Sequence, residues 1–271
     1  MSIKNVVVIG AGRMGMPIIG HLVRKGFQVG VHDQDLRKQA AAEKAGARWG
    51  ADAAELAAGA EAILVCVGYD REVRELLQDG GALTHAPAGT IVAILSTVSP
   101  TTVQELAVQG ATRGLHVIDS TVCRGGDAAD KGTLLSFVGG PAETVARVTP
   151  VLRAYSADVV HTGAIGSAQV AKAVNNLIMW ACLVADHEGM ALAQRHGMDV
   201  EVLRKALLMS SSTNGALEKW GTQSMAWAED DMAIVAEMAN DSGIGLPLCG
   251  VVREICRPLK PRRFKLDLYG T

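Results

Sequence analysis

Hydrophobic and polar positions keep one rhythm through the first part of the chain and another after Gly166. Short apolar runs at 6–9, 28–31, 63–67, 91–95, 117–119, 134–138 and 159–161 alternate with stretches of helical composition such as 101–109 and 142–154. Runs that are apolar at successive positions predict strands buried on both faces. With helices between them, such strands make a mostly parallel sheet covered on both sides. Residues 168–196 then read as a single helix of about 29 residues, long for a globular protein. Gly197 is its stop signal and Asp199 caps the next helix. Residues 200–209, 214–219, 229–241 and 248–256 continue the helical pattern. The expected fold is α/β: a doubly wound, mostly parallel sheet over 1–163, followed by an all-α domain over 164–271 that the long helix opens.

The first strand runs directly into Gly10-Ala11-Gly12-Arg13-Met14-Gly15, and a helix continues from there to Lys25, where Gly26 ends it. Gly10 permits a tight turn, Gly12 leaves the backbone open to a pyrophosphate, and Gly15 lets the helix lie close on its strand. Phosphates placed there meet unpaired N–H groups and the positive end of a helix dipole. The second strand ends at Asp33, where a carboxylate can take both hydroxyls of an adenosine ribose and repel a 2′-phosphate. A glycine triplet alone is weak evidence. Between strand and helix, with Asp33 following, it predicts a Rossmann-type dinucleotide site that favours NAD. NADP remains possible, because Arg37 and Lys38 stand nearby in sequence, although both also read as solvated charges on the next helix.

Composition narrows the remaining classes. With 49% hydrophobic and 20% charged residues the chain has the material for a compact core, and its net charge of −2 gives no general attraction to nucleic acid or an acidic membrane. No uninterrupted apolar run approaches the ~18 residues of a bilayer span; the longest, 177–185, lies inside the long helix. The apolar N-terminal stretch reads as a strand, not a leader. Five cysteines without a Cys-x-x-Cys pair suit a reducing, cytoplasmic setting. The histidines show no ligand spacing, so no metal site is expected. The basic tail over 257–265, broken by Pro258 and Pro261, reads as a solvated terminus or as an anion contact in a dimer partner's site.

Candidate chemistry opens the long helix. Lys172 and Asn176 stand four residues apart and so share a face. Hydride transfer to or from a carbinol requires a proton to move in the opposite sense, a task a lysine performs where its surroundings favour the neutral amine. Asn176 carries both a donor and an acceptor and can orient lysine and substrate oxygen together.

With these residues in view, the chain resembles the β-hydroxyacid dehydrogenases, a family that includes 3-hydroxyisobutyrate dehydrogenase and the related 6-phosphogluconate dehydrogenases. The resemblance covers nearly the whole length and rests on three signatures in order: the turn from Gly10 to Gly15, Ser96-Thr97-Val98-Ser99-Pro100, and the stretch from Gly166 through Asn176. It implies that Lys172 is catalytic and Asn176 its helper, and that Ser96 and Thr97 lie beside nicotinamide and substrate. Arg13, Met14 and Val67 join the glycines and Asp33 on the cofactor side. It also implies a helical domain for substrate and dimerisation, in a homodimer or homotetramer. The apolar residues Ile178, Met179, Trp180, Leu183 and Val184 agree with such packing.

The chain departs from the family pattern in two places. Where the substrate loop normally reads Asp-Ala-Pro-Val-Ser-Gly-Gly, this chain has Asp119-Ser120-Thr121-Val122-Cys123-Arg124-Gly125-Gly126. Cys123 is a poor replacement for a serine hydroxyl, whereas Arg124 points either into the site as an anion clamp or outward into solvent. Further on, Asp230-Asp231-Met232 replaces a customary Lys-Asp-Leu, with Trp220, Met225 and Trp227 nearby as core or as pocket lining. The substrate set is accordingly Ser96, Cys123, Arg124, Gly125 and Asn176. The function expected is NAD-dependent interconversion of a small, anionic β-hydroxy acid or related alcohol with its carbonyl. Two alternatives stand beside it: an imine reductase, whose members usually carry aspartate or tyrosine where Lys172 stands, and a cofactor-binding interaction module without turnover.

Overall fold

A computed structural model describes residues 3–68, 70–77, 81–222 and 227–257. Its strands are β1 (Asn5–Ile9), β2 (Gln28–His32), β3 (Arg48–Trp49), β4 (Ala62–Val65), β5 (Ile91–Ile94), β6 (His116–Asp119), β7 (Val122–Cys123), β8 (Leu134–Gly139) and β9 (Ser156–Gly163). Helices α1 (Gly15–Arg24), α2 (Gln39–Lys44), α3 (Ala53–Ala57), α4 (Asp70–Leu77), α5 (Ala82–His85), α6 (Pro100–Ala111), α7 (Gly125–Lys131) and α8 (Ala142–Leu152) connect them. After the sheet come α9 (Ser167–Arg195), α10 (Val200–Leu207), α11 (Gly215–Glu218), α12 (Ala228–Asp241) and α13 (Pro247–Cys256).

The successive apolar positions of β1 show why this sheet is buried on both faces. Val6 and Val8 pack with Ile18, Ile19 and Leu22 of α1 and Val148 and Leu152 of α8. Val7 and Ile9 face the other way, into Leu56 of α3 and Val103 and Leu106 of α6. Burying a side chain of this size stabilises the fold by roughly 1.5–3 kcal/mol relative to exposure.

The strand order is β3-β2-β1-β4-β5-β6-β8-β7, with β9 on β8. Strands β1 to β6 are mutually parallel where they pair. β8 runs antiparallel to β6 and β7, and β9 is parallel to β8. The two-residue strands β3 and β7 fall below the window of any periodicity. β9 is longer than its apolar run, because most of its residues are half-buried or exposed and so lack an apolar signal. The order in which successive strands are added reverses at β1, which lies between β2 and β4, and this is the switch point at which an open α/β sheet leaves a crevice at its carboxyl ends.

Two compact units divide at Lys172–Ala173, inside α9, whereas the rhythm of the sequence divides at 163/164, just ahead of that helix. The second unit has its own core. Ala173, Trp180, Leu183 and Val184 of α9 pack with Ala228, Met232 and Val235 of α12 and Cys249, Val252 and Cys256 of α13. This corrects the reading of the α9 apolar face: Trp180, Leu183 and Val184 are covered within the chain itself, and among the residues named for that face Ile178 is the one left well exposed, at 58%. By length and composition alone α9 is long and apolar enough to cross a membrane, which is weak evidence for a single helix; 39% of its apolar window is buried, and its residues from Ala173 to Val184 share a core with α12 and α13.

Candidate active site

The glycine turn leaves the end of β1 with Gly10 at φ +101° and its N–H donating to the His32 carbonyl at 2.8 Å. Only glycine fits: a Cβ there would run into the Cys66 carbonyl. Gly12, by contrast, faces open space, with nothing within 4 Å of where its Cβ would stand. Met16 N–H donates to the Gly12 carbonyl at 3.1 Å, so the N–H groups ahead of it in the turn have no place in the helical ladder of α1. An open cradle with unladdered donors at a helix start fits a pyrophosphate.

Asp33 lies just past β2 and closes this turn. Its Oδ2 accepts from Ala11 N–H at 2.6 Å and from Lys38 Nζ at 2.9 Å, and its Oδ1 accepts from Asp35 N–H at 2.8 Å. Burial works to raise its pKa, but Asp35 N–H, the Lys38 amine and Ala11 N–H together hold it below the ordinary carboxylate value. Lys38 is thus paired with the acid, whereas Arg37 turns away and grips Asp35 at 2.8 and 2.9 Å. Arg13 also turns away from the glycine turn: its guanidinium forks onto Asp130 of α7.

Beyond β4 and β5, Ser96 Oγ accepts from Val67 N–H at 2.9 Å, which joins two predicted cofactor positions directly. Thr97 lies half-buried beside them. The Gln169 side chain, 1% exposed, donates to the Ser96 carbonyl at 2.9 Å and accepts from Val98 N–H at 3.1 Å. The Ser96–Val98 loop is therefore fastened to the first turn of α9.

Asp119, fully buried at the end of β6, fixes that turn from the other side. Oδ1 accepts from Gly166 N–H at 2.8 Å, and Oδ2 accepts from Ala168 and Gln169 N–H at 2.8 and 3.0 Å. Burial pushes its pKa up, against the pull of these backbone donors. Gly139 lies opposite in the β6–β8 pairing, and a Cβ on it would stand 2.5 Å from Asp119 Oδ1. From the helix so anchored, Lys172 donates from Nζ to the Val122 carbonyl at 2.9 Å and lies 4.0 Å from Cys123 Sγ. Asn176 follows one turn later, 3% exposed, with its Oδ1 accepting from Asn175 Nδ2 at 3.1 Å.

The structure brings Lys172 together with Val122 and Cys123, and Ser96 with Val67, but it takes Arg124 elsewhere. Arg124 has φ +85°, and its guanidinium pairs with Asp158 of β9 at 2.7 Å and donates to the Thr133 carbonyl at 3.2 Å. Of the two directions that the sequence leaves open for Arg124, into the site or outward, these bonds to Asp158 and Thr133 follow the outward one. Asp119 and Gln169 are the positioning residues that sequence reading missed. In the second unit, Asp231 accepts from the Trp180 indole at 2.8 Å, Trp220 stacks on buried His187 at 4.2 Å between ring centres, and Trp227 is 53% exposed. Met225 lies outside the described residues. So does the basic tail beyond Arg257, which itself pairs with Glu229 and Glu254. Among the described residues no cluster of metal-ligating side chains occurs.

Comparison with known proteins bears on the same stretches. Residues 5–163 match the NAD binding domain of 6-phosphogluconate dehydrogenase, and residues 166–265 match the NAD-binding domain of NADP-dependent 3-hydroxyisobutyrate dehydrogenase. An NAD-dependent L-serine dehydrogenase of Pseudomonas aeruginosa is 32% identical over 216 residues, 79% of this chain and 72% of the relative. A 3-hydroxyisobutyrate dehydrogenase of the same organism is 32% identical over 214 residues, with the same coverage. The solved 3-hydroxyisobutyrate dehydrogenase of Mycobacterium tuberculosis with L-serine has a TM-score of 0.86 at 24% identity, covering 96% of this chain and 94% of that one, a likeness of fold.

Proposed function

We propose the following reaction for this chain, which belongs to the β-hydroxyacid dehydrogenase family: NAD-dependent interconversion of a small β-hydroxy acid with its carbonyl, with Lys172 as general acid and base. The observation that carries the reading is the Lys172 amine held 2.9 Å from the Val122 carbonyl, at the head of the loop where Cys123 begins the candidate substrate contacts. Bound at the glycine turn, the nicotinamide dinucleotide supplies or accepts the hydride. In the reductive direction Lys172 gives a proton to the substrate's carbonyl oxygen, and in the oxidative direction it removes one from the hydroxyl. Asn176 offers that oxygen a donor and orients it. Asp119 and Gln169 hold the helix turn from which both residues project.

The substrate class has support from chemistry common to the relatives' names. L-serine and 3-hydroxyisobutyrate are both primary alcohols β to a carboxylate. With Arg124 committed to Asp158, the carboxylate falls to backbone N–H groups between Cys123 and Gly126. Retention of a lysine at 172 speaks against the imine reductase reading. A panel of β-hydroxy acids, amino-hydroxy acids, sulfonates, aromatic alcohols and cyclic imines, followed at the nicotinamide absorbance with NAD and NADP, tests the proposal. Turnover of a β-hydroxy acid is expected; turnover confined to imines overturns the assignment. Cys123→Ser is expected to lower KM for the preferred acid by about three- to tenfold, because a hydroxyl is a stronger donor to a carboxylate than a thiol. An unchanged KM would remove Cys123 from the carboxylate site.

Cofactor choice rests on Asp33. Asp33→Ala removes the carboxylate that repels a 2′-phosphate and releases Lys38 from its ion pair. The ratio of kcat/KM for NAD over NADP is expected to fall by about tenfold or more, a change of roughly 1.4 kcal/mol in discrimination. Paired initial-rate measurements with the two cofactors decide this, and a constant ratio would take the role away from Asp33.

A further inference from the structure

Arg13 belongs by sequence to the phosphate-binding turn, yet its side chain reaches out of that turn to a different part of the unit. Nη1 and Nη2 donate to Asp130 Oδ1 and Oδ2 at 2.8 and 2.7 Å, a two-point fork that fixes the guanidinium plane. Asp130 lies near the end of α7, the helix that begins at Gly125 directly after Cys123 and Arg124. On the way the guanidinium crosses Gly126, where a Cβ would stand 2.5 Å from it. The missing side chain at Gly126 leaves room for the guanidinium in this position. Eight residues on, within α1, His21 Nε2 lies 3.0 Å from the Ala129 carbonyl and 3.1 Å from that of Asp130, and Arg24 Nη2 lies 2.8 Å from His21 Nδ1. The helix that starts the dinucleotide turn and the helix that leads out of the candidate substrate loop are therefore clasped at two points.

We propose that Arg13 is a positioning residue that straps the substrate loop, residues 122–126, to the phosphate-binding turn through Asp130, so that the groups presented to substrate are placed relative to the bound dinucleotide. The inference rests on the hydroxy-acid reading of the site given above. It assigns Arg13 to the loop, although its place in the glycine turn alone suggests a phosphate contact. Both partners are more than half exposed, so the pair contributes modestly and acts by geometry.

The test compares Arg13→Ala, Asp130→Ala, the double variant and the charge-reversed pair Arg13→Asp with Asp130→Arg in the full-length protein. Substrate KM is expected to rise by about three- to fivefold in each single variant, the scale of an exposed but well-formed ion pair. The double variant is expected to be no worse than either single one, and the reversed pair is expected to recover most of the loss. The dissociation constant of NAD alone, measured by fluorescence titration, should stay within about twofold of wild type across the set. Hydrogen exchange at residues 122–126 should quicken in both single variants and slow again in the reversed pair. If Arg13→Ala weakens NAD binding while Asp130→Ala does not, Arg13 is a phosphate contact and the strap is overturned. A loss of thermal stability with KM and loop exchange unchanged overturns it as well, leaving a surface pair that only stabilises. A wild-type protein inert towards every hydroxy acid would refute the proposed reaction, whereas the exchange measurement, which needs no substrate, still decides the strap.

Discussion

Lys172→Ala is expected to cut kcat by about a thousandfold, within the 10²–10⁴ range typical of general acid-base catalysis, while NAD binds as before. The two effects separate because the groups involved are separate. The Lys172 amine is bonded to the Val122 carbonyl, whereas the glycine turn and Asp33 form their contacts with Ala11, His32, Asp35 and Lys38. Steady-state turnover paired with a dinucleotide titration reads both. More than a tenth of wild-type kcat in the variant would end the role assigned to Lys172, and a parallel loss of NAD binding would point to a disturbed fold instead.

Asp119→Ala is expected to harm stability and turnover together. Three backbone donors, those of Gly166, Ala168 and Gln169, lose their acceptor at once in a buried place. An unsatisfied buried donor costs ~1–3 kcal/mol and a lost helix cap ~0.5–2 kcal/mol, and water entering the vacated space offsets part of the sum. A destabilisation of about 3 kcal/mol follows, seen as a fall of roughly 5–10 °C in Tm. The same change frees the helix turn that aims Lys172, and a displacement of about 1 Å can cost on the order of 10²-fold in rate. Asp119→Asn distinguishes the causes. It retains one acceptor oxygen but points an NH2 group at one set of N–H donors, so it should fall between wild type and Ala in both measurements. A thermal melt and a kcat indistinguishable from wild type in the Ala variant would show that the buried carboxylate does not hold α9.

What was legible in the chain was local. The run from Val6 to Asp33 carries its meaning in neighbouring residues: strand, turn, helix and acid follow one another, and each is recognisable by composition. The span of α9 was legible for the same reason, because twenty-nine residues run on without a proline before Gly197 stops the helix. Asp119 and Gln169 were not legible as the residues that hold the helix. Their partners lie 47 to 50 and 71 to 73 positions away, and no pattern within a window links a strand-ending acid to a helix that starts so much later. The direction of Arg124 was hidden for another reason. It depends on a left-handed backbone angle that a non-glycine residue seldom takes, and the side chain follows that angle to Asp158. The apolar face of α9 was read correctly as apolar, but composition does not say whether α12 and α13 or another molecule covers it.

Lys172 leans on a main-chain carbonyl, and a carbonyl requires only a proton from its partner, not a charge. An ammonium and a neutral amine both carry the N–H that this bond needs, and the peptide oxygen of Val122 is there whatever side chains the neighbouring positions carry. The scaffold thus holds the amine in the same way in either protonation state. In the role proposed for it, Lys172 would therefore keep one position before and after a proton transfer, with the backbone beneath left as it is.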